Sequence, residues 1–154
     1  MGVRQRYLMK DKLIFVVEDN PDQLELTVLT LEEGAVNAEI AVARDGAQAL
    51  DFLFGQGIHA GRDTQRQPAV ILLDLKLPKL SGLDVLRSVR ANPLTAMVPV
   101  VMLTSSSEQS DIRACYQSGA NSYVRKPVDF GEFTEKLNCL QAYWLGANES
   151  PVLV

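Results

Sequence analysis

Five short runs rich in apolar residues recur along the chain, each followed by a segment of helical periodicity, and this alternation limits the fold more than any other feature. The runs are LIFVV (13–17), AEIAVA (38–43), AVILL (69–73), PVVML (99–103) and NSYVR (121–125). Continuous hydrophobicity over about five residues marks a strand buried on both faces. Strands separated by helices pair in parallel, because a parallel pair needs a crossover and the crossovers cover the sheet. The segment NPDQLELTVLTLEEG (20–34) reads as a helix with Asn20 as N-cap, Pro21 at the first helical position and Gly34 as its stop. Further helices are expected over 45–54, 81–91, about 108–118 and about 129–144. Five such units are too few for an eight-stranded barrel. The economical solution is an α/β fold with an open, doubly wound, five-stranded parallel sheet, in which ligands sit outside the carboxyl ends of the strands.

A chain of 154 residues, 47% hydrophobic and 22% charged, suits one domain with a proper core. The net charge of −4 argues against a role that depends on coating nucleic acid or an anionic membrane. The apolar runs fall short of the roughly 20 residues a membrane span needs, and LIFVV is interrupted by Glu18 and Asp19 before it could act as a signal segment. Cys115 and Cys139 lie in helical stretches without nearby Cys or His and read as reduced packing residues of a cytoplasmic protein. Residues 1–11 read as a basic leader, 12–144 as the domain and 145–154 as a tail with an apolar tip. The polar link at 55–68 is longer than usual for its place.

The strand ends carry the chemistry. The first ends in Glu18-Asp19, the third in Asp74, the fourth in Thr104 and the fifth in Arg125-Lys126-Pro127. Three carboxylates on one rim raise each other's pKa, and a divalent cation resolves the conflict. Mg2+ suits it, being held by one or two carboxylates while keeping positions for water and phosphate oxygens. With its charge partly neutralised, a carboxylate such as Asp74 can accept a phosphoryl group. Lys126 and the Thr104 hydroxyl would then face the phosphoryl oxygens. Each residue alone has a plain structural reading: a helix cap for Glu18-Asp19 or Thr104, a loop for Lys126-Pro127. Their coincidence on successive strand ends does not.

The motifs VVEDN, LLDLKLPKLSG, VVMLTS and SYVRKP, taken together, resemble those of a response-regulator receiver domain of the single-domain chemotaxis-regulator kind, over about residues 12–144. The resemblance implies a flavodoxin-like fold with strand order 2-1-3-4-5. It implies that Asp74 takes phosphate from a phosphohistidine on a sensor histidine kinase. Mg2+ would be held by Asp19, by Asp74, by the backbone carbonyl of Lys76 and, mainly through water, by Glu18. Thr104 and Tyr123 would be switch residues, Lys126 would pair with acceptor or phosphoryl oxygens, and Lys76 and Ser106 would tune the phosphoryl lifetime. A cis bond before Pro127 is also implied.

The long link at 55–68 and the ending LNCLQAYWLG further resemble stand-alone regulators associated with bacterial phytochromes, which would make such a photoreceptor kinase the partner. With only a short tail after the domain, output is expected through a changed protein-interaction surface. A homodimer through the fourth helix, fifth strand and fifth helix is one form of it. On that last helix Phe130, Phe133, Leu137, Leu140 and Trp144 form a stripe expected to face the core. His59, alone in the polar link, is expected to be a solvated loop residue. Two rival readings are weaker. A haloacid-dehalogenase-type phosphohydrolase normally needs a second Asp two residues after the nucleophile, where this chain has Lys76. A pseudo-receiver, a binding module without phosphorylation, would lack one of the acids or the lysine.

Overall fold

The computed structural model describes residues 12–34 and 38–151. Its elements are β1 (Leu13–Val17), α1 (Pro21–Glu33), β2 (Glu39–Ala43), α2 (Gly46–Phe54), β3 (Val70–Leu73), α3 (Gly82–Ala91), β4 (Val100–Thr104), α4 (Gln109–Gln117), β5 (Ser122–Arg125) and α5 (Phe130–Gln141). All strand pairs are parallel and the sheet runs β2-β1-β3-β4-β5. The expected fold and strand order are therefore both found. The winding reverses between β1 and β3, and residues leaving those two strands flank the crevice.

Alternate strand residues feed two cores. Phe15, Val17, Ile71, Leu73, Val100 and Met102 pack against Leu53 of α2, Val85, Leu86 and Val89 of α3, and Cys115 of α4. Ile14, Val16, Val70, Leu72, Val101 and Leu103 pack against Leu24 and Leu31 of α1 and Phe133 and Leu137 of α5. Central strands β1, β3 and β4 are buried along their whole length, whereas β2, at the edge, keeps Glu39 and Val42 exposed. Helix starts follow the side-chain caps: Asn20 Oδ1 accepts from the Asp22 and Gln23 N–H groups, Asp45 accepts from Gln48 N–H, and Ser81 and Asp84 cap each other reciprocally.

Several expectations change in three dimensions. Phe133 and Leu137 face the core, but Phe130 is 66% exposed. It belongs to the first turn of α5, where it lines a surface pocket with Asp22, Gln23 and Leu26. A π-helical turn, Ala142–Ala147, continues α5 and brings Leu145 into the core, while Leu140 and Trp144 pack at its margin. Lys12 Nζ donates to the Leu145 carbonyl at 2.6 Å. Cys115 is a packing residue, whereas Cys139 is exposed, since it lies two residues from Leu137 and so on the far side of the helix. The link at 55–68 is packed down: it holds a 3-10 turn, Gly57–His59, and the buried Gln67 amide donates to the Leu53 and Thr64 carbonyls. Arg62 stacks 4.0 Å over the Phe52 ring, and His59 meets the same ring edge-on with centroids 5.2 Å apart, so His59 is not simply solvated. The leader at 1–11 and the apolar tip at 152–154 lie outside the described residues. Among the described residues no helix is long and apolar enough to cross a membrane.

Candidate functional site

Strand register sets the site. Val17 of β1 pairs with Leu73 of β3, so Glu18 and Asp74 leave neighbouring strands at the same level. The backbone continues the ladder there, with Asp74 N–H donating to the Val17 carbonyl at 3.1 Å. Thr104 pairs with Arg125, and Lys126 follows, its N–H donating to the Thr104 carbonyl at 2.7 Å. The four strand-end segments picked from the sequence thus meet on one rim.

Glu18, Asp19 and Asp74 each offer an oxygen within 4.8 Å of the others. Glu18 is buried, Asp74 is half-buried and Asp19 is exposed. The buried Lys126 ammonium donates to Glu18 Oε1, to Asp74 Oδ2 at 3.1 Å and to Gln23 Oε1 at 2.7 Å. Burial pushes the Glu18 carboxyl above its ordinary value, against the opposing pull of Lys126 and with a smaller upward push from Asp74. Three carboxylates against one ammonium leave an unmatched negative charge at the mouth of the sheet. Closely grouped hard oxygen donors, one desolvated and two more accessible, are the donor set a small divalent cation takes. The residues present therefore fit Mg2+ or a similar ion.

Lys76 N–H points at Asp74 Oδ1 from 3.4 Å, and the Lys76 side chain is exposed. An open cavity of about 560 Å³ in front of the rim is lined by Asp19, Leu75, Lys76, Pro78 and Asp111, among others. Thr104 is buried, with its Oγ1 3.5 Å from Ser106 N. Ser106 Oγ donates to Asp111 Oδ2 at 2.5 Å, and Tyr123 Oη donates to the Ser106 carbonyl at 2.9 Å. Tyr123 thus already packs inward against the first core, and burial raises its phenol pKa.

The bond before Pro127 is trans: the described residues contain no cis peptide. The expectation of a cis bond is corrected. A trans bond is the favoured isomer by about 0.5–1 kcal/mol for X-Pro, and with it Lys126 reaches both the Thr104 carbonyl and the carboxylates.

Two residues at the site escaped the sequence reading. Gln23 occupies the position three after the Asn20 cap, where Gln is commonplace as a capping partner, and so carried no separate signal. Asp111 resembles any acid in the first turn of a helix.

Residues 14–138 match the model of the response regulator receiver domain. The chain belongs to the receiver family. Response regulator Rcp1 of Synechocystis sp. (strain ATCC 27184 / PCC 6803 / Kazusa) is 33% identical over 134 residues, covering 87% of this chain and 89% of its own. The Mn2+-bound crystal structure of Rcp1 superposes with a TM-score of 0.85, covering 91% of this chain and 99% of that one at 32% identity. The phosphorylated cyanobacterial phytochrome response regulator RcpA gives the same TM-score and identity, covering 91% and 98%. The bacteriophytochrome response regulator RtBRR is 48% identical, with a TM-score of 0.72 and coverage of 91% and 84%. This receiver is thus a signalling domain similar to phytochrome-associated regulators, with an acidic pocket suited to a divalent metal.

Proposed function

We propose that Asp74 accepts a phosphoryl group from a phosphohistidine of a sensor histidine kinase, a bacterial phytochrome in this chain's case, and that the ion held beside it is Mg2+. One carboxylate oxygen of Asp74 forms a bond to phosphorus as the P–N bond breaks, and the imidazole nitrogen keeps the electron pair and takes a proton from water. When bound by Glu18, Asp19, Asp74 and the Lys76 carbonyl, Mg2+ supplies positive charge to the phosphoryl oxygens. Lys126 holds the acceptor carboxylate in place and pairs with a phosphoryl oxygen after transfer. Thr104 gives its hydroxyl to another, and Tyr123 follows the turn that carries Thr104. Lys76 and Ser106, at the edge of the approach to Asp74, tune how long the acyl phosphate survives. The reader is a partner protein, or a second copy meeting the face of α4, β5 and α5.

The observation that carries this reading is Lys126 bridging Glu18 and Asp74 at the rim of a cation-ready acidic group. Incubation with acetyl phosphate and Mg2+, followed by intact-mass measurement, tests it. One added phosphoryl group is expected, lost in Asp74→Asn and on adding a chelator. An unchanged mass, or addition that persists in the mutant, would remove Asp74 from the acceptor role.

A further inference from the structure

The turn between β4 and α4 reads Ser105-Ser106-Ser107-Glu108, with no apolar residue to anchor it in either core. Hydrogen bonds must therefore hold it, and they converge on Ser106. Its Oγ donates to Asp111 Oδ2 at 2.5 Å and accepts from Glu108 N–H at 3.3 Å. Its carbonyl accepts from Tyr123 Oη at 2.9 Å, and its N–H lies 3.5 Å from the Thr104 hydroxyl. One residue thus joins the end of β4, the first turn of α4 and the middle of β5. Asp111, half-buried, also lines the same open cavity as Asp19 and Lys76.

We infer that Asp111 is a positioning residue for phosphoryl transfer: through Ser106 it holds the 104–108 turn, the Thr104 hydroxyl and the Tyr123 ring in the arrangement that receives the phosphoryl group. The inference rests on the acceptor role proposed for Asp74. The physical basis is entropy. A polar turn released from Asp111 samples many conformers, and those must be frozen out when Thr104 meets the phosphoryl oxygens. With Asp111 in place the ordering is done before the donor arrives. Its carboxylate is required as a hydrogen-bond acceptor for Ser106, which separates this role from that of an acid interacting with the α4 helix dipole.

The test compares wild type, D111A, D111N, S106A and the double variant S106A/D111A. Initial rates of phosphate uptake are measured with acetyl phosphate and Mg2+, and amide exchange over 104–109 is followed by mass spectrometry without any donor. Loss of the Ser106–Asp111 bond is expected to slow uptake about fivefold in D111A and at least as much in S106A, which also gives up the Glu108 N–H bond, with the double variant no slower than S106A. D111N, whose amide oxygen still accepts, is expected to restore most of the lost rate. Exchange over 104–109 should be faster in D111A than in wild type or D111N. Wild-type uptake in D111A, or D111N as slow as D111A, would overturn the inference, as would unchanged exchange in D111A. If D111A does not fold, S106A removes the same bond together with that from Glu108 N–H, and wild-type uptake in S106A overturns the inference. The exchange arm uses no donor, so its result separates failure of this inference from failure of the acceptor role, which Asp74→Asn tests.

Discussion

Lys126 has three ammonium protons and three acceptors, Glu18, Gln23 and Asp74, so its orientation is fully determined. Removing the lysine would leave Glu18 buried without its cation, a change that typically costs about 3–5 kcal/mol. The upward shift of Glu18 has a definite pH signature. Its carboxyl holds a proton in the folded state at pH values where the unfolded chain has released it. Folding is therefore favoured most below the ordinary value of 4.5, and that contribution is lost as pH rises through the folded-state pKa. In chelator-containing buffer, the stability of wild type minus that of Glu18→Gln should fall as pH is raised from 4.5 toward neutrality. Thermal melts across that range check it, and a flat or rising difference would contradict the shift. Added Mg2+, which requires the ionised carboxylate, should reverse the trend near neutral pH.

At the scale of elements, the β3–α3 connection has the tightest demands. Gly82, the first residue of α3, donates its N–H to the Leu75 carbonyl at 2.7 Å. A Cβ there would lie 2.0 Å from the Asp74 carbonyl and 2.8 Å from Leu75 Cα, both backbone atoms that cannot step aside without moving Asp74. Lys79, in the same connection, has a φ of 68°, and its ammonium reaches Asp45 Oδ2 at 3.5 Å. Gly82→Ala is therefore expected to lower stability by about 3 kcal/mol and to slow phosphate uptake, because it displaces the acceptor. Urea unfolding and intact-mass kinetics measure both effects. A variant with wild-type stability would show that the connection yields more easily than its packing implies. Helix limits, by contrast, were readable, because Asn20, Asp45 and Ser81 act locally as caps.

For the whole molecule, β5 and α5 together present a groove of about 660 Å³ lined by Tyr123, Arg125, Glu132, Glu135, Lys136 and Cys139, among others. Charges of both signs on one patch can satisfy each other across a two-fold axis. A dimer is expected in light scattering at micromolar concentration when a phosphoryl analogue is present. A monomer with and without the analogue would leave this face to another partner. The groove adjoins Tyr123, so the same element that the Ser106–Asp111 bond holds in place also borders the candidate reading surface.

The fold and the core of the site were legible because each follows from local order along the chain. Apolar runs of strand length alternating with helices require a parallel sheet, and a parallel sheet carries whatever follows each strand to one rim. Glu18, Asp19, Asp74, Thr104 and Lys126 could thus be grouped from one dimension. The packing of the 55–68 link on Phe52 and the parts played by Gln23 and Asp111 could not. Each depends on contacts between segments far apart in sequence, where the partner's position, rather than the residue's own type or spacing, decides what the side chain does. The sequence by itself determined which chemistry gathers at the carboxyl ends of the strands. Only the tertiary structure decided how Lys126 and Ser106 are held there, because their hydrogen-bond partners come from different elements brought together by packing.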